Sequence, residues 1–148
     1  MRKKNILEII GAFFILLFAY TAFSKLLLQD VFKYSLGMSP LIAPMADLIA
    51  WTVPVLELGI CALLFFPKTR KIGLYSTLVT MIIFTLYISY MIVFTPKLPC
   101  SCGGVIRYMT WRQHLVFNIV CICLAVVATR LNRQIEKPQQ VSMTPAMS

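Results

Sequence analysis

Residues 72–95, IGLYSTLVTMIIFTLYISYMIVFT, run for 24 positions without a charged side chain. At 1.5 Å of rise per residue such a helix reaches about 36 Å, more than the roughly 30 Å of hydrocarbon in a bilayer. No strand-like alternation competes, so the stretch predicts a transmembrane helix. Outward from it, the chain changes character on both sides. Pro67 and the basic cluster Lys68–Lys71 precede it, and Pro96, Pro99, Gly103 and Gly104 follow, all residues that interrupt helices.

Three further apolar segments of spanning length lie at residues 6–28, 48–66 and 111–129, with Gly37, Pro40 and Pro44 in the break between the first two. The first could be taken for a signal peptide. Its apolar run exceeds the usual length of about 7 to 15 residues and no small-x-small cleavage site follows, so it is kept as a mature helix. Over the whole chain of 148 residues, 59% are hydrophobic and only 13% charged, outside the range of a domain that solvates its own surface. The expected fold is all-α: a polytopic four-transmembrane-helix bundle over residues 1–131, followed by a polar, disordered cytoplasmic tail at 132–148. There is no internal repeat and no second domain.

The net charge of +9 could suggest a nucleic-acid partner, but the basic residues cluster at the ends of the apolar runs, where anionic headgroups lie. The expected partner is the lipid bilayer, with no nucleic acid. Nine basic residues (Arg2, Lys3, Lys4, Lys68, Arg70, Lys71, Arg130, Arg133, Lys137) fall on one side and five (Lys25, Lys33, Lys97, Arg107, Arg112) on the other. The positive-inside rule therefore puts both termini in the cytoplasm and the 96–110 loop outside, in a bacterial inner membrane.

That loop contains KLPCSCGGVIR, residues 97–107. Outside the reducing cytosol, Cys100 and Cys102 can form a disulfide that persists. As a staple it would achieve little, because closing so short a loop gives only about 1.5 kcal/mol before strain is subtracted. Strained, exposed disulfides exchange readily instead. No acidic residue lies between Glu57 and Glu136, while Lys97, Arg107 and Arg112 flank the loop. Cations and free amides of a Gly-Gly turn favour the attacking thiolate. The expected role is a redox pair working on an outer-face thiol or disulfide protein, an exported client. A copper or zinc site of Cys100, Cys102 and His114 is the metal alternative, and it falls short of the usual ligand count. A non-enzymatic assembly factor is the other.

Residues 110–113, TWRQ, read as a capping box, which starts the fourth helix near Trp111. His114, Asn118, Cys121 and Ala125 then share one face, with Cys123 opposite. A polar, small-residue stripe belongs inside a bundle. His114 is a candidate base or quinone contact, against the plainer reading of a polar boundary residue. Cys61 and Cys121 read as small buried hydrophobes, with a relay role the sharper reading. Glu57 lies about ten residues into the second segment, where a charge is expensive and a functional candidate by default. Lys25, near the outer end of the first helix, could pair with Asp47 or with Glu57. Pro54 adds an irregularity, since it frees the carbonyl of Ala50. Either a packing clasp or a proton or quinone site including Glu57 and Asn118 follows, and a membrane quinone is the candidate cofactor.

YTAFSK (20–25), VPVLELG (53–59) and PCSCGG (99–104) together resemble the MauE family of methylamine-utilisation membrane proteins, grouped with DoxX-like four-helix proteins. The resemblance covers residues 5 to about 130. It implies a polytopic protein linked to disulfide formation or maturation of exported proteins; in methylamine users the client is the disulfide-rich small subunit of methylamine dehydrogenase. Carried over by position, Cys100 and Cys102 would be the redox pair, and Lys25 and Glu57 family motif residues.

Overall fold

A computed structural model describes the backbone of residues 2–94 and 111–142, and side chains at 2–94 and 112–136. Among the described residues five α-helices follow one another: α1 (Arg2–Leu27), α2 (Gln29–Gly37), α3 (Ala46–Phe65), α4 (Arg70–Phe94) and α5 (Trp111–Ser142), with a 3-10 turn (Ala43–Met45) leading into α3. No strand occurs among the described residues. By length and composition, four helices can cross a membrane: Arg2–Leu27, Ala43–Phe65, Arg70–Phe94 and Arg112–Glu136. The four spans expected from the sequence are these four.

The long helices form a ring in which α1 packs on α3, α3 on α4, α4 on α5 and α5 back on α1. The short connection at residues 66–69 makes α3 and α4 antiparallel neighbours. The core is a stripe on each helix. Leu7, Ile10, Phe14 and Phe18 recur at helical spacing on α1; they meet Ile60 and Leu64 of α3, Leu74 and Met81 of α4, and Cys121, Ala125 and Ala128 of α5. Leu16, Val79, Leu86, Val116 and Val120 point outward. Exposed aliphatic side chains of this kind are stable against lipid tails, while small residues such as Ala22, Ala50, Ala125 and Ala128 lie buried, where they let backbones approach.

Two local devices keep the helices sound in hydrocarbon. Hydroxyls donate to carbonyls one turn back, as in Thr77 to Gly73 (2.9 Å), Thr85 to Met81 (2.7 Å) and Thr129 to Ala125 (2.7 Å), which satisfies them within their own helices. At Gly73, a Cβ would lie 2.9 Å from the backbone nitrogen of Leu64. Only glycine permits α4 to start this close to the end of α3.

The structure departs from expectation in two places. The break between the first two spans contains α2, which the glycine and prolines there did not suggest. Phe32 and Leu36, one turn apart, are buried and pack over Ala50 of α3, whereas Lys33 is only partly covered and Tyr34 is exposed. The chain is also helical beyond position 131, because α5 continues to Ser142. Asn132 donates to Glu136 (3.0 Å), Glu136 pairs with Lys71 of α4 (3.3 Å), and Gln134 accepts from Lys3 of α1 (3.0 Å). These contacts tie residues 132–136, the start of the stretch expected as a disordered tail, to the bundle; residues 143–148 of that stretch lie outside the described residues.

Candidate functional site

Lys25 and Glu57 stand on facing helices, in the last turn of α1 and roughly 16 Å along α3 from Ala46. A lysine so near a helix end ordinarily extends its amine toward the interface. Here Nζ turns inward and meets Glu57 Oε1 at 2.6 Å, with the two residues 6% and 1% exposed. The rings of Phe32 and Phe84 lie 5.8 and 5.9 Å from the same amine, within range of cation–π attraction. Asp47, the other candidate carboxylate for Lys25, is taken by Lys33 at 3.0 Å in a largely exposed pair. Of the two pairings open to Lys25, the fold selects the buried one.

The ion pair forms one wall of a cavity of about 250 Å³. All five described helices contribute to it. Leu17, Phe18, Thr21 and Lys25 come from α1, Phe32 and Leu36 from α2, Val53 and Glu57 from α3, Phe84, Tyr87 and Ile88 from α4, and His114, Phe117 and Asn118 from α5. His114 and Asn118 are one turn apart and both buried, on the face shared by Cys121 and Ala125; Cys123 is exposed on the other side. The helical phase of α5 is therefore as its spacing predicted. Ser39, fully buried, donates to Met91 Sδ (3.5 Å) and fastens the end of α2 to the last turns of α4 above the cavity.

Polar saturation is incomplete inside. Glu57 Oε2 and Asn118 Nδ2 are buried with no hydrogen-bond partner. Thr21 lies beside the carboxylate, yet its hydroxyl donates to the Phe18 carbonyl at 3.2 Å. Burying an acceptor and a donor unpaired is costly, and such groups mark places where something else binds.

Lys25, Glu57, His114 and Asn118 are thus brought together. Cys100 and Cys102 lie outside the described residues, so neither their pairing nor a metal site with His114 is described; among the described residues no group of three metal-ligating side chains occurs. Cys61 donates to the Ile15 carbonyl (3.4 Å) and Cys121 is packed in the core. The sequence reading missed Phe32, Phe84, Tyr87 and Phe117. Of these only Phe32 carried a signal, its one-turn spacing from Leu36.

The family model for methylamine utilisation protein MauE matches residues 3–131. The chain belongs to the MauE family. No curated protein and no solved structure matches it. The segments that carried the resemblance now have a shared geometry: Lys25 of YTAFSK and Glu57 of VPVLELG are the two ends of one buried ion pair. In this MauE-family chain the cavity lies in the half of the bundle that contains the end of α4 and the start of α5, the two helices joined by the segment with PCSCGG.

Proposed function

We propose that this MauE-family membrane protein supports thiol–disulfide exchange on an exported partner at the outer face of a bacterial inner membrane, with both termini in the cytoplasm. Cys100 and Cys102 are the exchanging pair. A partner thiolate attacks one sulfur of their disulfide and forms a mixed disulfide, and the partner's second thiolate resolves it. The partner leaves oxidised, and the Cys100–Cys102 pair holds two electrons and two protons that must pass to an acceptor. An exported, disulfide-rich client of a methylamine-utilisation system fits this chemistry.

The observation that carries the reading is the placement of Lys25, Glu57, His114 and Asn118 around one cavity at the end of the bundle where α4 stops and α5 begins. Charged residues kept inside a membrane protein at such cost belong to a working site. A purely structural bundle has no use for an unpaired carboxylate oxygen there.

Trapping tests it. A Cys100→Ser or Cys102→Ser variant keeps one thiol, which attacks the disulfide of oxidised partner and holds it as a mixed disulfide that the missing second cysteine cannot resolve, seen as a reducible higher-mass band in membranes. Absence of such a band in both variants under oxidising conditions, with activity kept when both cysteines are replaced, contradicts exchange and leaves an assembly role.

A further inference from the structure

We propose that the Lys25–Glu57 cavity takes the head group of a membrane quinone. Asn118 Nδ2 donates to one ring oxygen, and Glu57 Oε2 accepts from the hydroxyl of the reduced form. The proposal rests on the thiol-exchange reading for the source of its electrons, but its binding geometry stands on the cavity alone.

Three features select this occupant. The first is the match of donors and acceptors. Asn118 Nδ2 is an orphan donor and Glu57 Oε2 an orphan acceptor, on side chains that line the cavity and are 3% and 1% exposed. A quinone carbonyl supplies the acceptor that the amide lacks, and a quinol hydroxyl supplies the donor that the carboxylate lacks. Beside them the Lys25 ammonium, held by Glu57 Oε1 at 2.6 Å, adds positive charge to a wall facing a ring whose oxygens gain electron density on reduction.

The second is the character of the remaining wall. Phe18, Phe84 and Phe117 with Tyr87 and Ile88 surround the polar end. Water at about 30 Å³ per molecule could in volume terms fill the space with roughly eight molecules, each needing two to four polar partners. With so few polar side chains on the wall, most would go unsatisfied. A flat ring leaves its faces to the aromatic side chains and uses the polar groups at its edge. The third feature is access. Ile83 lines the cavity and is also 57% exposed on α4, which puts one edge of the space at the surface that faces lipid, where an isoprenoid tail can remain.

The redox step balances. Oxidation of the two thiols forms one S–S bond and releases two electrons and two protons. The quinone takes both pairs, and its two carbonyl oxygens become hydroxyls.

The test is equilibrium binding of decyl-benzoquinone to the full chain in quinone-free lipid nanodiscs, carried out on the Cys100→Ser/Cys102→Ser protein so that thiol chemistry plays no part. Saturable binding at one site per chain is expected. Asn118→Leu should weaken it by about tenfold, in keeping with loss of one buried hydrogen bond. Ile83→Trp, a change on an exposed face that narrows the opening, should weaken it with the melting temperature kept. No saturable binding to the parent protein, or equal affinity in parent, Asn118→Leu and Ile83→Trp, overturns the proposal. Binding without any trapped mixed disulfide would refute the exchange reading alone; trapping without binding would refute the quinone site alone.

Discussion

At the scale of single residues, the Lys25–Glu57 pair carries the most consequence. Two charges at 6% and 1% exposure gain from each other only while both are present. Replacing one leaves the other as an uncompensated buried charge, which costs about 3 to 5 kcal/mol, whereas replacing both by apolar residues of similar volume is close to neutral. Lys25→Met and Glu57→Leu should therefore each lower stability by about that amount, and the double variant should recover most of the loss. Reversible unfolding in mixed micelles measures all three; a double variant no better than the worse single would contradict the pairing. Both residues stood out in the sequence, Glu57 because a carboxylate ten residues into an apolar run is anomalous. Their partnership did not. Lys25 had two candidate carboxylates, and only the position of Lys33 beside Asp47, at 3.0 Å, settles which is free.

Among elements, what the sequence revealed depended on length and period. Each spanning helix is an apolar run too long to be anything else. The inner face of α5 was legible because His114, Asn118, Cys121 and Ala125 repeat at helical spacing and all four are buried. Helix α2 was hidden, since nine residues give Phe32 and Leu36 a single turn in which to declare a face, just ahead of prolines that, with Gly37, read as a break. The cavity was hidden for a different reason: it is assembled from all five helices, and no one segment encodes it. The junction of α3 and α4 gives a prediction of its own. Gly73→Ala would bring a Cβ to 2.9 Å from the Leu64 nitrogen and 3.0 Å from the Leu63 carbonyl carbon, backbone atoms that cannot swing aside. Overpacking of this kind costs about 1 to 3 kcal/mol. Gly59→Ala, with open space at its Cβ, should be tolerated. Thermal melts of the two variants compare them directly, and equal melting temperatures would mean that the close approach is not real.

For the whole molecule, the two ends of the bundle differ in kind. One end closes with polar contacts between chain ends, Lys3 to Gln134 and Lys71 to Glu136. The other contains the cavity, roofed by α2 and approached by the termini of α4 and α5. The basic residues near the first end, Arg2, Lys3, Lys4, Lys68, Arg70 and Lys71, are those that the positive-inside rule assigns to the cytoplasm. In the proposed orientation Cys100 and Cys102 would be kept away from cytosolic reductant and open to an exported protein, and the cavity, at the end of the bundle where α4 stops and α5 begins, would face the same side. The measurement that tests this most directly is thiol labelling of intact cells with a membrane-impermeant maleimide, before and after mild reduction, on a chain in which Cys61, Cys121 and Cys123 are replaced by alanine. Cys100 and Cys102 should label from outside only after reduction, as a reversible disulfide on the outer face requires. Labelling that appears only once the membrane is opened would place the pair in the cytosol and contradict the account.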